Sequence, residues 1–247
     1  MTRGNHRNFV LRILLVIQIT FLPGLSWSQQ PNDAQQKSSP GAEDIPSSNS
    51  GPILVQAKDP KKLTPLERAY LDVFSILSDD NSCSRFYGGP AATVALTALV
   101  GRLRSTYFDP HIAIRMKGDT TIFQDARTGF SFRLFATAEV NTGGSFYRGN
   151  TLYEARLPLI AHFPPNTKEA RATILLHELG HLLRTAHNSW LLQDDGTDFD
   201  LSRRNTDVVL KFCREQIVAL DNLSPAEKLA RLPAAPPANL ASAGNKP

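Results

Sequence analysis

The 247-residue chain has only two cysteines, Cys83 and Cys213, too few for more than one intramolecular bridge. Neither follows the apolar N-terminal run, so a lipid-anchored form has no support. No second apolar run approaches the roughly 20 residues needed to cross a bilayer. There is no dense basic run and no internal repeat. The formal charge of +4 shrinks further if the N-terminal segment is removed, because three of the 27 Lys and Arg residues, Arg3, Arg7 and Arg12, lie in it and none of the 23 acids does. The near-neutral remainder gives no reason to expect a nucleic-acid partner.

The N-terminus reads as a secretory signal peptide over 1–28. Those three arginines form a basic region, Ile13 to Leu22 is a short apolar core, and Ser26-Trp27-Ser28 offers small residues for cleavage. Export to the periplasm or the exterior is therefore expected, with no stable membrane anchor after cleavage. In such an oxidising setting Cys83 and Cys213 are expected to pair. Residues 29–62, rich in Gln, Ser, Pro and Asn, read as a flexible spacer, 63–232 as the folded domain and 233–247 as a disordered tail.

Within the domain, Thr64-Pro65-Leu66-Glu67 is a capping box, and Leu66, Ala69, Tyr70, Val73, Phe74 and Leu77 follow at helical spacing, predicting a helix that ends near Asp79. Pro90 opens a second helix, predicted to run through Leu103 and stop before Thr106. The period then changes. Ile112 to Met116, Thr121 to Gln124 and Ser131 to Val140 read as strands separated by turns at Gly118-Asp119 and Thr128-Gly129, with further short strands at Ser145 to Arg148 and near Leu152 to Ile160. Asn166-Thr167-Lys168-Glu169 predicts a second capping box and a helix through His181. A third long helix is predicted from about Arg203 to Leu220 with Ser202 as its cap, and a short one after Ser224. The fold class is α+β, a small and mostly antiparallel sheet beside several helices.

That second box opens the helix bearing His177-Glu178-Leu179-Gly180-His181. Residues four apart stack one turn above each other, so both imidazoles can reach one point. Two neutral imidazoles suit zinc and leave room for one more protein ligand and a water. Glu178, about 100° round the helix, can hold that water without binding the metal. The alternative is an ordinary helix with solvated His and Glu side chains.

The His-Glu-x-x-His motif resembles the active-site signature of zincin metallopeptidases, matched at both His ligands and at the Glu that serves as general base. The resemblance implies a zincin-like fold, a Zn2+ cofactor, a protein or peptide substrate, and a sheet whose edge strand pairs with that substrate. Three sources of a third ligand stay open. His187 nearly completes the metzincin pattern, but Arg184 stands where that pattern has Gly, and Met1 and Met116, the only methionines, both precede the motif, so no Met-turn can follow it. The loop Asp194-Asp195-Gly196-Thr197 is similar to the aspzincin branch, and of its acids Asp195 beside Gly196 is the preferred candidate over Asp194. Asp207 or Glu215 would match a gluzincin arrangement. The block from Asp194 to Cys213 also resembles a group of uncharacterised secreted metallopeptidase-like proteins that carry HELGH.

Asn205 reads as a capping residue, Tyr147 and Tyr153 as strand aromatics with an oxyanion donor as the alternative, and His111 and His162 as residues without a metal role. The expected function is a secreted zinc metallopeptidase. Its rivals are a catalytically degenerate zincin-fold binding protein with a structural or vestigial metal, and a metal-free envelope protein.

Overall fold

The computed structural model describes residues 59–124, 128–150, 157–185 and 187–232. The leader, most of the spacer and the tail lie outside them. Asp59 caps a 3-10 turn at Pro60–Lys62, inside the stretch read as spacer. Helix α1 (Pro65–Ser78) carries the predicted box: the Thr64 hydroxyl accepts from the Glu67 N–H, the Glu67 carboxylate accepts from the Thr64 N–H, and Asp79 ends the helix. A one-turn helix, α2 (Ser82–Phe86), was not predicted; it is capped by Asn81 and carries Cys83. Helix α3 (Ala92–Arg102) stops earlier than predicted, because Leu103 turns to extended geometry and strand β1 (Leu103–Thr106) begins there. A partner strand far along the sequence captures this backbone, which helical periodicity cannot foresee.

That partner is β3 (Ser131–Asn141), the middle strand of a three-stranded sheet in the order β1-β3-β2. It pairs antiparallel with β2 (Ile114–Gln124) at nine register positions and parallel with β1 at four, so the sheet is mixed, with most of its pairing antiparallel. The strands predicted on either side of Gly118-Asp119 are one strand. Gly118 adopts φ 84° and the register shifts between Lys117 and Thr120, so the glycine makes a bulge and not a turn. Ser145 to Arg148, predicted as a strand, is a run of turns. Of the strand predicted near Leu152 to Ile160, residues 151–156 lie outside the described residues and Ile160 bridges only to Phe163.

Helix α4 (Lys168–Leu182) is capped by Thr167, whose hydroxyl accepts from the Ala170 N–H. The predicted Asn166-Glu169 box does not form because Asn166 sits at φ 63° and its side chain accepts from Arg171. Eleven of the fifteen α4 residues are buried, so this is a central helix. It packs against α1, α3, α5 and β3. Helix α5 (Phe199–Val218) starts four residues before the predicted Ser202-Arg203 boundary, because Asp198 caps it by accepting from the Leu201 N–H. Helix α6 (Pro225–Ala230) has the Ser224-Glu227 box. Cys83 and Cys213 form a disulfide joining α2 to α5, beside the stacked rings of Phe86 and Phe212. Such a bridge belongs to an oxidising, extracytoplasmic setting. It closes a separation of 130 residues, a contribution of roughly 4 to 5 kcal/mol in the chain-entropy account.

Candidate metal centre

His177 and His181 lie one turn apart on α4, both buried, with their Nε2 atoms 3.0 Å from each other. What comes next determines what faces them. The helix ends without glycine: Leu183 becomes extended and bridges to Phe132 of β3, and the chain doubles back so that Arg184 pairs with Trp190 and the Leu191 N–H donates to the Leu183 carbonyl. The returning segment then crosses α4. The Leu192 N–H donates to the Gly180 carbonyl at 3.0 Å, and a Cβ at Gly180 would lie 2.4 Å from Leu192 Cδ1. The glycine within HELGH is therefore the position that admits the crossing, and the crossing delivers Asp194 and Asp195 to the histidines.

Asp195 Oδ2 is 3.0 Å from His177 Nε2, and Asp195 Oδ1 is 3.6 Å from His181 Nε2. Gly196, at φ 51°, turns the chain after it, and the Asp198 N–H closes the turn on the Asp195 carbonyl before α5 begins. The Asn205 side chain, which was read as a cap, instead lies buried within α5 and donates to the Gln193 carbonyl, tying the loop to that helix.

The hydrogen bonds around His177 decide its tautomer. Thr206 has one hydroxyl proton and donates it to the Ser202 carbonyl at 2.9 Å. It must then accept from His177 Nδ1–H, 3.0 Å away, which leaves the Nε2 lone pair directed at Asp195. Two imidazole lone pairs and a carboxylate cannot face one another at these separations unless a cation or protons lie between them. Burial raises the pKa of the Asp195 carboxyl, but hydrogen bonds and charge from His177 and His181 outweigh it and hold the group well below the carboxylate range. Burial lowers His181, yet the bond to Asp195 and the charges of Glu178, Asp195 and Asp194 raise it overall.

The donor set suits a metal. Zinc bonded tetrahedrally at 2.0–2.1 Å would have ligand atoms about 3.3 Å apart, and the three observed separations of 3.0, 3.0 and 3.6 Å bracket that value. Among the described residues, His177, His181 and Asp195 are the set of His, Cys, Asp and Glu side chains close enough to share an ion. Asp194 points instead to Arg133. His187 is exposed at the tip of the hairpin, and Asp207 and Glu215 are exposed on α5; none of the three joins the cluster.

Glu178 lies half-buried in the wall of a cavity of about 140 Å3, together with His177 and Asp195. Burial raises its pKa, the two histidines pull it down, and Asp195 pushes it up, with a net rise. The loop leading into β2, with His111 and Ile112, also lines it, and Ile160, Ile174 and Phe199 supply apolar surface. His111, read as a residue without a metal role, is outside the cluster but lines the same cavity as Glu178. Its loop is clamped by Asn141, fully buried, whose side chain donates to the Asp109 and Ile112 carbonyls and accepts from the Gly143 N–H. The contact is made through tertiary folding over more than sixty positions of chain, and no local signal announces it. Tyr147 packs edge-on against Phe146, His162 is exposed, and Tyr153 lies outside the described residues.

No match was found to this chain among protein-family models, curated proteins or solved structures. The case for a function therefore rests on the site itself.

Proposed function

We propose that this chain is a zinc-dependent metallopeptidase, with His177, His181 and Asp195 as the metal ligands and Glu178 as the general base. One observation carries the reading: three lone-pair donors converge on a single point beside the Glu178 carboxylate, which opens onto a cavity. Zinc bound there would act as a Lewis acid, polarising a carbonyl and acidifying water.

The chain's own groups account for the rest. Thr206 holds the His177 tautomer with Nε2 free. The raised pKa of Glu178 suits a group that must take a proton from water and return it to the leaving amine nitrogen. His111 can donate a hydrogen bond to a carbonyl oxygen on which negative charge develops. Strand β2 pairs on one side with β3 and, among the described residues, with nothing on the other. Its first residue, Ile114, lines the cavity, so an extended peptide added to that edge would pass the cluster.

The test is a peptide-library digest by the mature protein, with and without chelator, beside Glu178→Gln. Hydrolysis that stops on chelation, returns with zinc and is lost in Glu178→Gln supports the reading. Zinc uptake without cleavage of any library member would transfer the chain to the binding-protein alternative, and no zinc uptake at all would end both.

A further inference from the structure

His177 and His181 are not held alike. The first has its Nδ1 on Thr206 at 3.0 Å, whereas the Nδ1 of His181 is buried and has no hydrogen-bond partner. To present an Nε2 lone pair to a metal, His181 must carry its proton on that buried Nδ1. The polar group nearest to it in the described ion pairs is Asp194 Oδ1, 3.9 Å away. Asp194 does not lie there by chance. The same oxygen is bonded by a terminal nitrogen of Arg133, and the Arg133 Nε donates to the His181 backbone carbonyl at 2.9 Å. Arg133 is 6% exposed, with its guanidinium 3.9 Å from the Trp190 ring and 5.0 Å from that of Phe135. A planar, rigid fork of this kind ties the backbone of a ligand to a carboxylate.

We propose that Asp194, held by Arg133, is the outer carboxylate that orients His181, taking its Nδ1–H once Nε2 engages the metal. The two neighbouring acids then divide the work: Asp195 bonds the ion and Asp194 bonds a ligand of the ion. The inference rests on the zinc reading above. Arg133 and Asp194 are positioning residues, since neither reaches the cavity. Movement of about 1 Å would bring the 3.9 Å separation to hydrogen-bond length. The Asp194 side chain is 56% exposed and has room to make it.

Outer partners of this type typically change metal affinity by about 10–100-fold. The experiment measures zinc dissociation constants of the full mature chain by chelator competition, for the parent, Asp194→Ala, Asp194→Asn and Arg133→Lys. Melting of the metal-free proteins and the 15N shift of His181 Nδ1 in the zinc-loaded ones are recorded alongside. Asp194→Ala should bind zinc about 10–100-fold more weakly, lose the hydrogen-bonded Nδ1 signature, and melt somewhat lower without metal because it leaves the buried Arg133 guanidinium without its carboxylate. Asp194→Asn, which keeps an acceptor oxygen, should recover much of the affinity. Arg133→Lys should weaken zinc binding as well. If Asp194→Ala binds zinc as tightly as the parent, the proposal is overturned while the metal site stands, and so it is if only Arg133→Lys weakens it. A parent that takes up no zinc overturns both.

Discussion

Two parts of this molecule bury ionisable groups, and they do it in opposite ways. Between α1 and α6, Lys228 donates to the Asp72 carboxylate at 2.6 Å and to the Leu220 carbonyl at 2.7 Å, so a cation meets an anion and an acceptor, each within hydrogen-bond reach. Around α4, two imidazoles and the Asp195 carboxylate meet with their ligand atoms facing one another and, among the described residues, no Lys or Arg paired with Asp195. Arg133, the buried cation nearby, is committed to Asp194 and a backbone carbonyl. Buried charge that is matched within the chain is architecture. Lone pairs gathered without a matched cation mark a place that could bind a metal ion.

The comparison can be broken most sharply at Glu178. Glu178→Gln should lower kcat by about 10^2 to 10^4-fold while the zinc content stays at that of the parent. Atomic absorption on the protein used for the assay checks this, and a variant that turns over normally would remove Glu178 from its role. At the paired site the expected loss is of stability and not of metal. Lys228→Met leaves Asp72 buried without its partner and should cost about 3–5 kcal/mol in urea unfolding, with zinc affinity unchanged; loss of zinc affinity at equal stability would contradict the division.

Gly180→Ala should sharpen it, because the added methyl would meet Leu192 and press the returning segment off the helix. A cost of about 1–3 kcal/mol is expected, and unlike Lys228→Met this variant should bind zinc more weakly. Equal zinc binding would show that the loop re-seats without its crossing.

The smallest effect expected is in pH. Burial holds the Asp72 carboxyl above its ordinary range, against the opposing pull of Lys228. The proton is therefore bound more tightly in the folded chain. The associated stability is complete below the unfolded value of about 3.9 and is lost as pH rises through the raised folded one. Comparing unfolding free energies of the parent and Asp72→Asn across that interval should give a difference that moves against the parent as pH increases. A difference that moves the other way would mean that the salt bridge outweighs burial.

How much of this was legible beforehand varies with the range of the forces involved. The Thr64-Glu67 box, the helix bearing HELGH and the turn at Gly196 depend on residues within a few positions of each other, and each reads directly from composition and spacing. Some errors were places where a distant segment intervened, and others, such as the Asn166 box that fails at φ 63° and the short helix capped by Asn81, were local. Leu103 left its helix for β3 and the Gly118 turn flattened into a bulge under long antiparallel pairing, whereas α5 began early because Asp198 caps it locally. That His111 lines the same cavity as Glu178 had no signal in the residues around it.

By itself the order of residues determined that two histidines would stack on one helical face with a glutamate beside them, since a helix has a set pitch and its capping is local. Tertiary structure decided everything that meets that face. The exit at Leu183, the passage of Leu192 over Gly180 and the anchoring of Asp194 by Arg133 chose between two adjacent acids that are equivalent by composition. Such a choice depends on which backbone lies against which, a matter of packing across the whole domain that adjacent residues do not encode.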